Sequence, residues 1–72
     1  MTQPRAKQIA AYLKLTSAFY RVSGIDKSAG LVIMDARNDL AIEMDIDTLF
    51  AAVDIASAID YSYNFELPRR AA

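Results

Sequence analysis

Five carboxylates lie close together in the middle of the sequence and have the clearest potential for chemistry: Asp35, Asp39, Glu43, Asp45 and Asp47. Hard cations take oxygen ligands, so Asp45 and Asp47, together with Glu43, could hold a metal ion. The glycine-containing spacing of an EF-hand loop is absent. A solvated strand face with a helix cap explains the same residues, and we expect no metal and no cofactor. An anionic protein-binding surface remains the alternative for Asp39, Glu43, Asp45 and Asp47.

Three basic residues in the N-terminal segment, Lys7, Lys14 and Arg21, are spaced seven apart. On a helix they would lie on one face and could contact phosphates. Binding through charge needs several such contacts, and nucleic-acid-binding domains usually have a clearly basic balance, whereas this chain has a net charge of −1. A solvated helix face is the simpler interpretation, and nucleic acid is a disfavoured partner.

Residues that would support enzyme chemistry are scarce. The chain has no histidine and no cysteine, and no serine has an obvious base beside it. Lys27 and Ser28 lack the glycine spacing of a phosphate-binding loop. Paired carboxylates could act on a sugar, but 72 residues offer little material for a substrate cleft. We therefore expect a protein that is not an enzyme.

The elements that would position these residues are predicted from hydrophobic periodicity. Residues 40–46 alternate between apolar and polar side chains, which is typical of a half-buried strand. Residues 31–34 are continuously apolar and suit a strand covered on both faces, and residues 37–39 suit a tight turn. The sequence thus predicts a β-hairpin with one apolar face and one acidic face. Residues 61–67 alternate in the same way and are predicted as a third strand.

Helical periodicity flanks the predicted hairpin. Residues 5–22 have a wide apolar arc and precede Gly24, which is expected to end the helix. Residues 49–60 form a second predicted helix, capped by Asp47 or Thr48. The fold class is therefore α+β: one small domain over residues 1–72 in the order α-β-β-α-β, with the hairpin and third strand packed against two helices. Residues 1–4 and 68–72 are expected to be flexible. An alternative leaves residues 61–67 as a tail that pairs with another chain.

The proportion of apolar residues, 54%, is high for so short a chain and indicates that some apolar surface is covered by another molecule. We expect a homodimer that uses Tyr12, Leu15 and Phe19 of the first helix. The acidic strand face would bind a second protein with a basic surface.

The favoured function is accordingly a small non-enzymatic protein that binds another protein, such as an inhibitor or anti-defence protein of a mobile element. A structural subunit of a larger assembly, such as a phage virion, is the first alternative. The helix–hairpin–helix layout is similar to that of small phage head–tail joining proteins. A nucleic-acid binder using Lys7, Lys14 and Arg21 is the second alternative. No secretory or membrane-spanning segment is evident and cysteine is absent, so we expect a cytoplasmic protein with no membrane partner.

Overall fold

The computed structural model describes residues 4–67, which form three α-helices and a final π-helical turn. Helix α1 is Arg5–Ser23, α2 is Lys27–Glu43, α3 is Ile46–Tyr61, and the π turn is Ser62–Glu66. No residue between 4 and 67 is in a strand. The predicted α+β fold, its hairpin, its third strand and the layout resembling head–tail joining proteins are therefore wrong. The prediction that residues 1–3 and 68–72 are flexible falls on positions outside the described residues.

Helix α1 follows the sequence prediction closely. It begins directly after Pro4, whose missing N–H is harmless at a helix start, where the first N–H groups have no intrahelical partner. It ends at Gly24, as predicted, but Gly24 has φ −69° and ψ −18°, which is right-handed helical backbone. Glycine is therefore not required there by backbone conformation.

Helix α2 occupies the region where the hairpin was predicted. The carboxylate of Asp26 caps it by accepting hydrogen bonds from the backbone N–H groups of Ser28 and Ala29, at 2.9 and 3.3 Å. The inward positions recur at helical spacing and include Gly30, Ile33, Arg37, Leu40 and the C-cap Met44. Two of those positions hold glycine and arginine, so the helical period is hidden in a search for apolar residues.

Side chains on the outside of α2 account for the incorrect strand prediction. Leu31, Val32 and Ile42 are apolar but exposed, and Ile42 is 82% accessible to solvent. In the alternating run, Leu40 is half-buried, Met44 is buried and Ile46 is exposed. The period of two therefore corresponds to no common face of the structure.

Helix α3 confirms the second predicted helix and extends it in both directions. Its cap is Asp45, so the predicted cap at Asp47 or Thr48 is wrong, and Ala52 and Ala56 are its buried apolar positions. The residues predicted as the third strand are helical instead, because the π turn Ser62–Glu66 directly follows α3, and the rings of Tyr61 and Phe65 lie 5.1 Å apart. In this widened turn the N–H of Leu67 donates to the carbonyl of Ser62.

Helix α1 is the centre of the molecule, since both α2 and α3 pack against it. The buried apolar core is small and consists of Tyr12, Met44, Ala52 and Ala56. The Cα atoms extend over 45 × 24 × 14 Å, and the smallest dimension is about that of two packed helices. Each helix therefore keeps a broad face toward solvent. Within residues 4–67, no helix is both long and apolar enough to cross a membrane.

Candidate functional site

A polar cluster in the interior joins α1 to α2. Thr16 is fully buried; its Oγ1 donates to the carbonyl of Tyr12 at 2.9 Å and accepts from Nη1 of Arg37 at 3.1 Å. The guanidinium carbon of Arg37 lies 5.0 Å from the centre of the Tyr12 ring, within the range of a cation–π contact. The threonine hydroxyl has no base beside it in this cluster, so the arrangement holds the two helices together rather than activating a nucleophile.

A second polar cluster joins the end of α1 to the end of α3. The hydroxyl of Tyr20 donates to Oδ1 of Asp60 at 2.5 Å, and Nδ2 of Asn64 donates to the Tyr20 oxygen at 3.4 Å. The ring of Tyr20 stacks on Tyr63 with centroids 4.8 Å apart. The hydrogen bond to Asp60, followed by burial, raises the pKa of Tyr20. A tyrosine stabilised in its neutral form is poorly suited to act as a general base, so this cluster also serves packing.

The four acids predicted to share a strand face lie on two helices. Asp39 and Glu43, four residues apart, are exposed on α2, while Asp47 is exposed in the first turn of α3. Asp45 is the α3 cap; its carboxylate accepts from the backbone N–H of Thr48 at 3.3 Å and from the Thr48 hydroxyl at 2.5 Å. The hydrogen bond from the Thr48 hydroxyl is the main cause that lowers the pKa of Asp45. The described part of the chain brings no three acids together as a metal site.

The solvent side of α2 combines large apolar residues with acids, and we call it the α2 outer face. The acids are four residues apart along the helix, which places them in one row. The apolar members are exposed beside that row. The face comprises Leu31, Val32, Asp35, Asp39, Ile42 and Glu43. The regular spacing of the three acids was visible in the sequence, but their assignment to a hairpin concealed it.

The solvent side of α3 is an exposed row of uncharged residues at helical spacing. Successive members are separated by four, three, four and four residues, which keeps them on one side of a helix. We call this row the α3 stripe; it comprises Ile46, Phe50, Val53, Ser57 and Tyr61. The sequence analysis did not identify this row.

The residues predicted for self-association are largely used within the chain. Tyr12 is buried in the core, beneath Arg37. Leu15 and Phe19 are half-buried, and the ring of Phe19 packs edge-on against Tyr20 at 5.3 Å. The wide apolar arc of α1 is explained by its central position, since it packs against helices on two sides.

The basic residues of α1 lie together as predicted from their spacing. Lys7, Lys14 and Arg21 are all exposed, and helix geometry places them along one edge about 21 Å long. We call this row the α1 basic edge. Residues 5–23 contain no acid, so α1 is wholly basic while α3 has acids and no base.

The chain matches no protein-family model, no curated protein and no solved structure. The fold and the three surfaces are therefore the basis for any functional conclusion.

Proposed function

We propose that this chain is a small non-enzymatic protein that binds another protein through the α2 outer face. The observation that carries the proposal is the imbalance between covered and uncovered apolar side chains. Within the described residues, eleven large apolar side chains are at least 41% exposed, whereas the buried apolar core has four members, two of them alanine. Apolar surface on this scale, when it is contiguous, is a common property of interaction sites.

The chemistry of the α2 outer face supports a particular kind of partner. Leu31 and Ile42 are eleven residues apart, about 16 Å along the helix, and would fill apolar pockets in a groove. The acids beside them favour a groove bordered by lysine or arginine. Opposite charges around an apolar centre speed encounter and restrict the choice of partner.

The composition of the chain also supports a binding role over a catalytic one. The sequence has no histidine or cysteine, and its two main polar clusters are involved in contacts between helices. An inhibitory role fits a protein that acts by occupying a groove, and it stays a prediction.

The test is quantitative affinity capture from the source cell, with the tagged chain compared against variants. Asp39→Lys and Ile42→Ser alter the α2 outer face, and Glu66→Lys is a charge-matched control on the π turn. We expect one protein to be captured by the wild type and by Glu66→Lys but lost with both face variants, with capture weakening as salt increases. Equal recovery of that protein by all variants would refute the role of this face.

A structural subunit of a larger assembly is an alternative that the same exposed apolar surface favours. In that case the isolated chain would aggregate or lack cooperative unfolding. A monodisperse sample with a single sharp thermal transition would count against this alternative.

The α1 basic edge favours a nucleic-acid binder as a further alternative. Three aligned positive charges would give a modest affinity that falls steeply as salt rises. A mobility-shift titration at low salt, repeated with Lys14→Ala, measures this directly. Absence of a shift, or a shift that Lys14→Ala leaves unchanged, would eliminate the α1 basic edge as the binding site.

A further inference from the structure

We propose that the α3 stripe is a homodimer interface, in which the α3 helices of two copies pack antiparallel about a two-fold axis between Val53 and Asp54. This goes beyond binding through α2, because it uses a different helix and a second copy of the chain. It also replaces α1 as the expected self-association surface.

Four of the five members of the α3 stripe are placed symmetrically about position 53.5, and the fifth, Val53, lies directly beside that point. Positions 46 and 61 are equally far from 53.5, and so are positions 50 and 57. In an antiparallel pair with its axis at that point, Ile46 lies level with Tyr61 of the second copy. Phe50 lies level with Ser57, the one small member of the row. A large ring opposite a small side chain on both sides of the axis is the alternation that lets facing layers interdigitate.

The apolar area available reaches the lower size limit of a specific dimer. The four large apolar members of the stripe and Phe65, which packs on Tyr61, are between 44% and 64% exposed. Taking about 200 Å², the size of an aromatic side chain, as the upper value for each, they present at most roughly 550 Å² per copy. Complete burial in two copies would cover at most about 1,100 Å², close to the lower size limit of a specific interface, about 1,000 Å².

The charges near the stripe make the dimer distinguishable from a complex with a basic partner. None of the five stripe residues is charged, and the adjacent exposed charges on α3 are the acids Asp47 and Asp54. The two-fold axis brings the two copies of Asp54 to the same edge of the interface, where they repel. Salt should therefore strengthen the dimer by screening this repulsion, whereas it should weaken binding of a basic protein.

The decisive experiment is sedimentation equilibrium on the purified chain and on variants of Phe50 and Ser57, which lie level with each other across the proposed interface. Phe50→Ser should weaken dimerisation about tenfold or more, because it removes the main apolar contact. Ser57→Phe adds apolar surface but places two rings against each other, so it should also weaken the dimer about tenfold. The double variant with both changes exchanges the pair and should restore the dissociation constant to within about threefold of wild type. Asp54→Asn should strengthen the dimer.

The control is Leu31→Ser on the α2 outer face, which should leave the dissociation constant unchanged while weakening capture of the partner protein. Circular dichroism of each variant verifies that the helices are retained. A dimer strengthened by Ser57→Phe would indicate non-specific apolar association and overturn the proposal. A chain that stays monomeric at millimolar concentration, or a dimer abolished by Leu31→Ser, would also overturn it.

Discussion

Replacing Gly30 with alanine should push α1 and α2 slightly apart and lower the stability of the fold. A Cβ at this position would overlap Oγ of Ser23 and would lie 3.0 Å from its Cβ and 3.1 Å from its Cα. Rotating the serine side chain removes only the first of these contacts, so the two helix backbones must move apart by a few tenths of an ångström. The same movement would stretch the 3.1 Å hydrogen bond between Arg37 and Thr16.

Two opposing effects determine the size of the change. Alanine in place of glycine inside a helix gains about 1 kcal/mol from backbone propensity. Overpacking a close contact costs about 1–3 kcal/mol, and disturbing the buried hydrogen bond adds to that cost. We expect Gly30→Ala to lower the free energy of unfolding by about 1–2 kcal/mol, equivalent to a fall of about 4–16 °C in melting temperature for a domain of this size.

Gly24 provides a matched control for this prediction. A Cβ at Gly24 would have no neighbour closer than 3.8 Å, and the backbone there is already right-handed helical. Gly24→Ala should therefore be neutral or stabilising by up to about 1 kcal/mol. Ser23→Ala in the Gly30→Ala background removes the overlapping oxygen and should recover part of the loss. Thermal denaturation followed by circular dichroism measures all three, and a Gly30→Ala variant as stable as wild type would refute the close approach of α1 and α2.

Three further predictions concern polar contacts. Thr16→Val keeps the side-chain shape but removes the acceptor used by Arg37, and should cost about 1–2 kcal/mol in chemical denaturation. Asp26→Ala removes the α2 cap and should cost about 1 kcal/mol, whereas Asp26→Asn should be milder. Because the pKa of Tyr20 is raised in the folded chain, the stability that its hydrogen bond to Asp60 contributes is complete below about pH 10 and is lost as pH rises through the higher folded pKa. Denaturation midpoints measured across this range should fall less for Tyr20→Phe than for wild type, and an equal fall would contradict the assignment.

The helices at both ends of the chain were predictable because apolar residues recur at helical spacing in both. In α1, the wide apolar arc corresponds to a central helix that packs on two sides, and Gly24 marks its end. In α3, the small residues Ala52 and Ala56 recur at helical spacing and are buried as that pattern indicates.

The middle of the chain was mispredicted because α2 departs from the usual relation between burial and hydrophobicity. Its inward face includes Gly30, which lets α1 approach closely at Ser23, and Arg37, whose guanidinium covers the ring of Tyr12. Its outward face contains Leu31 and Ile42, which a self-contained monomer would place inside. When exposed apolar residues on a helix happen to alternate with polar ones, the sequence pattern is the same as that of a half-buried strand. The two can be distinguished only when it is known which side chains are buried. The same departure identifies the α2 outer face as a candidate interaction surface.

Dimerisation through the α3 stripe would couple association to folding, which provides a test independent of sedimentation. Above the dissociation constant, a tenfold rise in protein concentration stabilises the dimer by about 1.4 kcal/mol, or about 0.7 kcal/mol per chain. The melting temperature should then rise by about 3–6 °C for each tenfold increase in concentration. Phe50→Ser should shift the onset of this dependence to about tenfold higher protein concentration, and the double exchange with Ser57→Phe should restore it. A melting temperature that is independent of concentration in a sample that stays dimeric up to the start of the transition would mean that the chains unfold without separating, in conflict with an interface made by surface residues of α3.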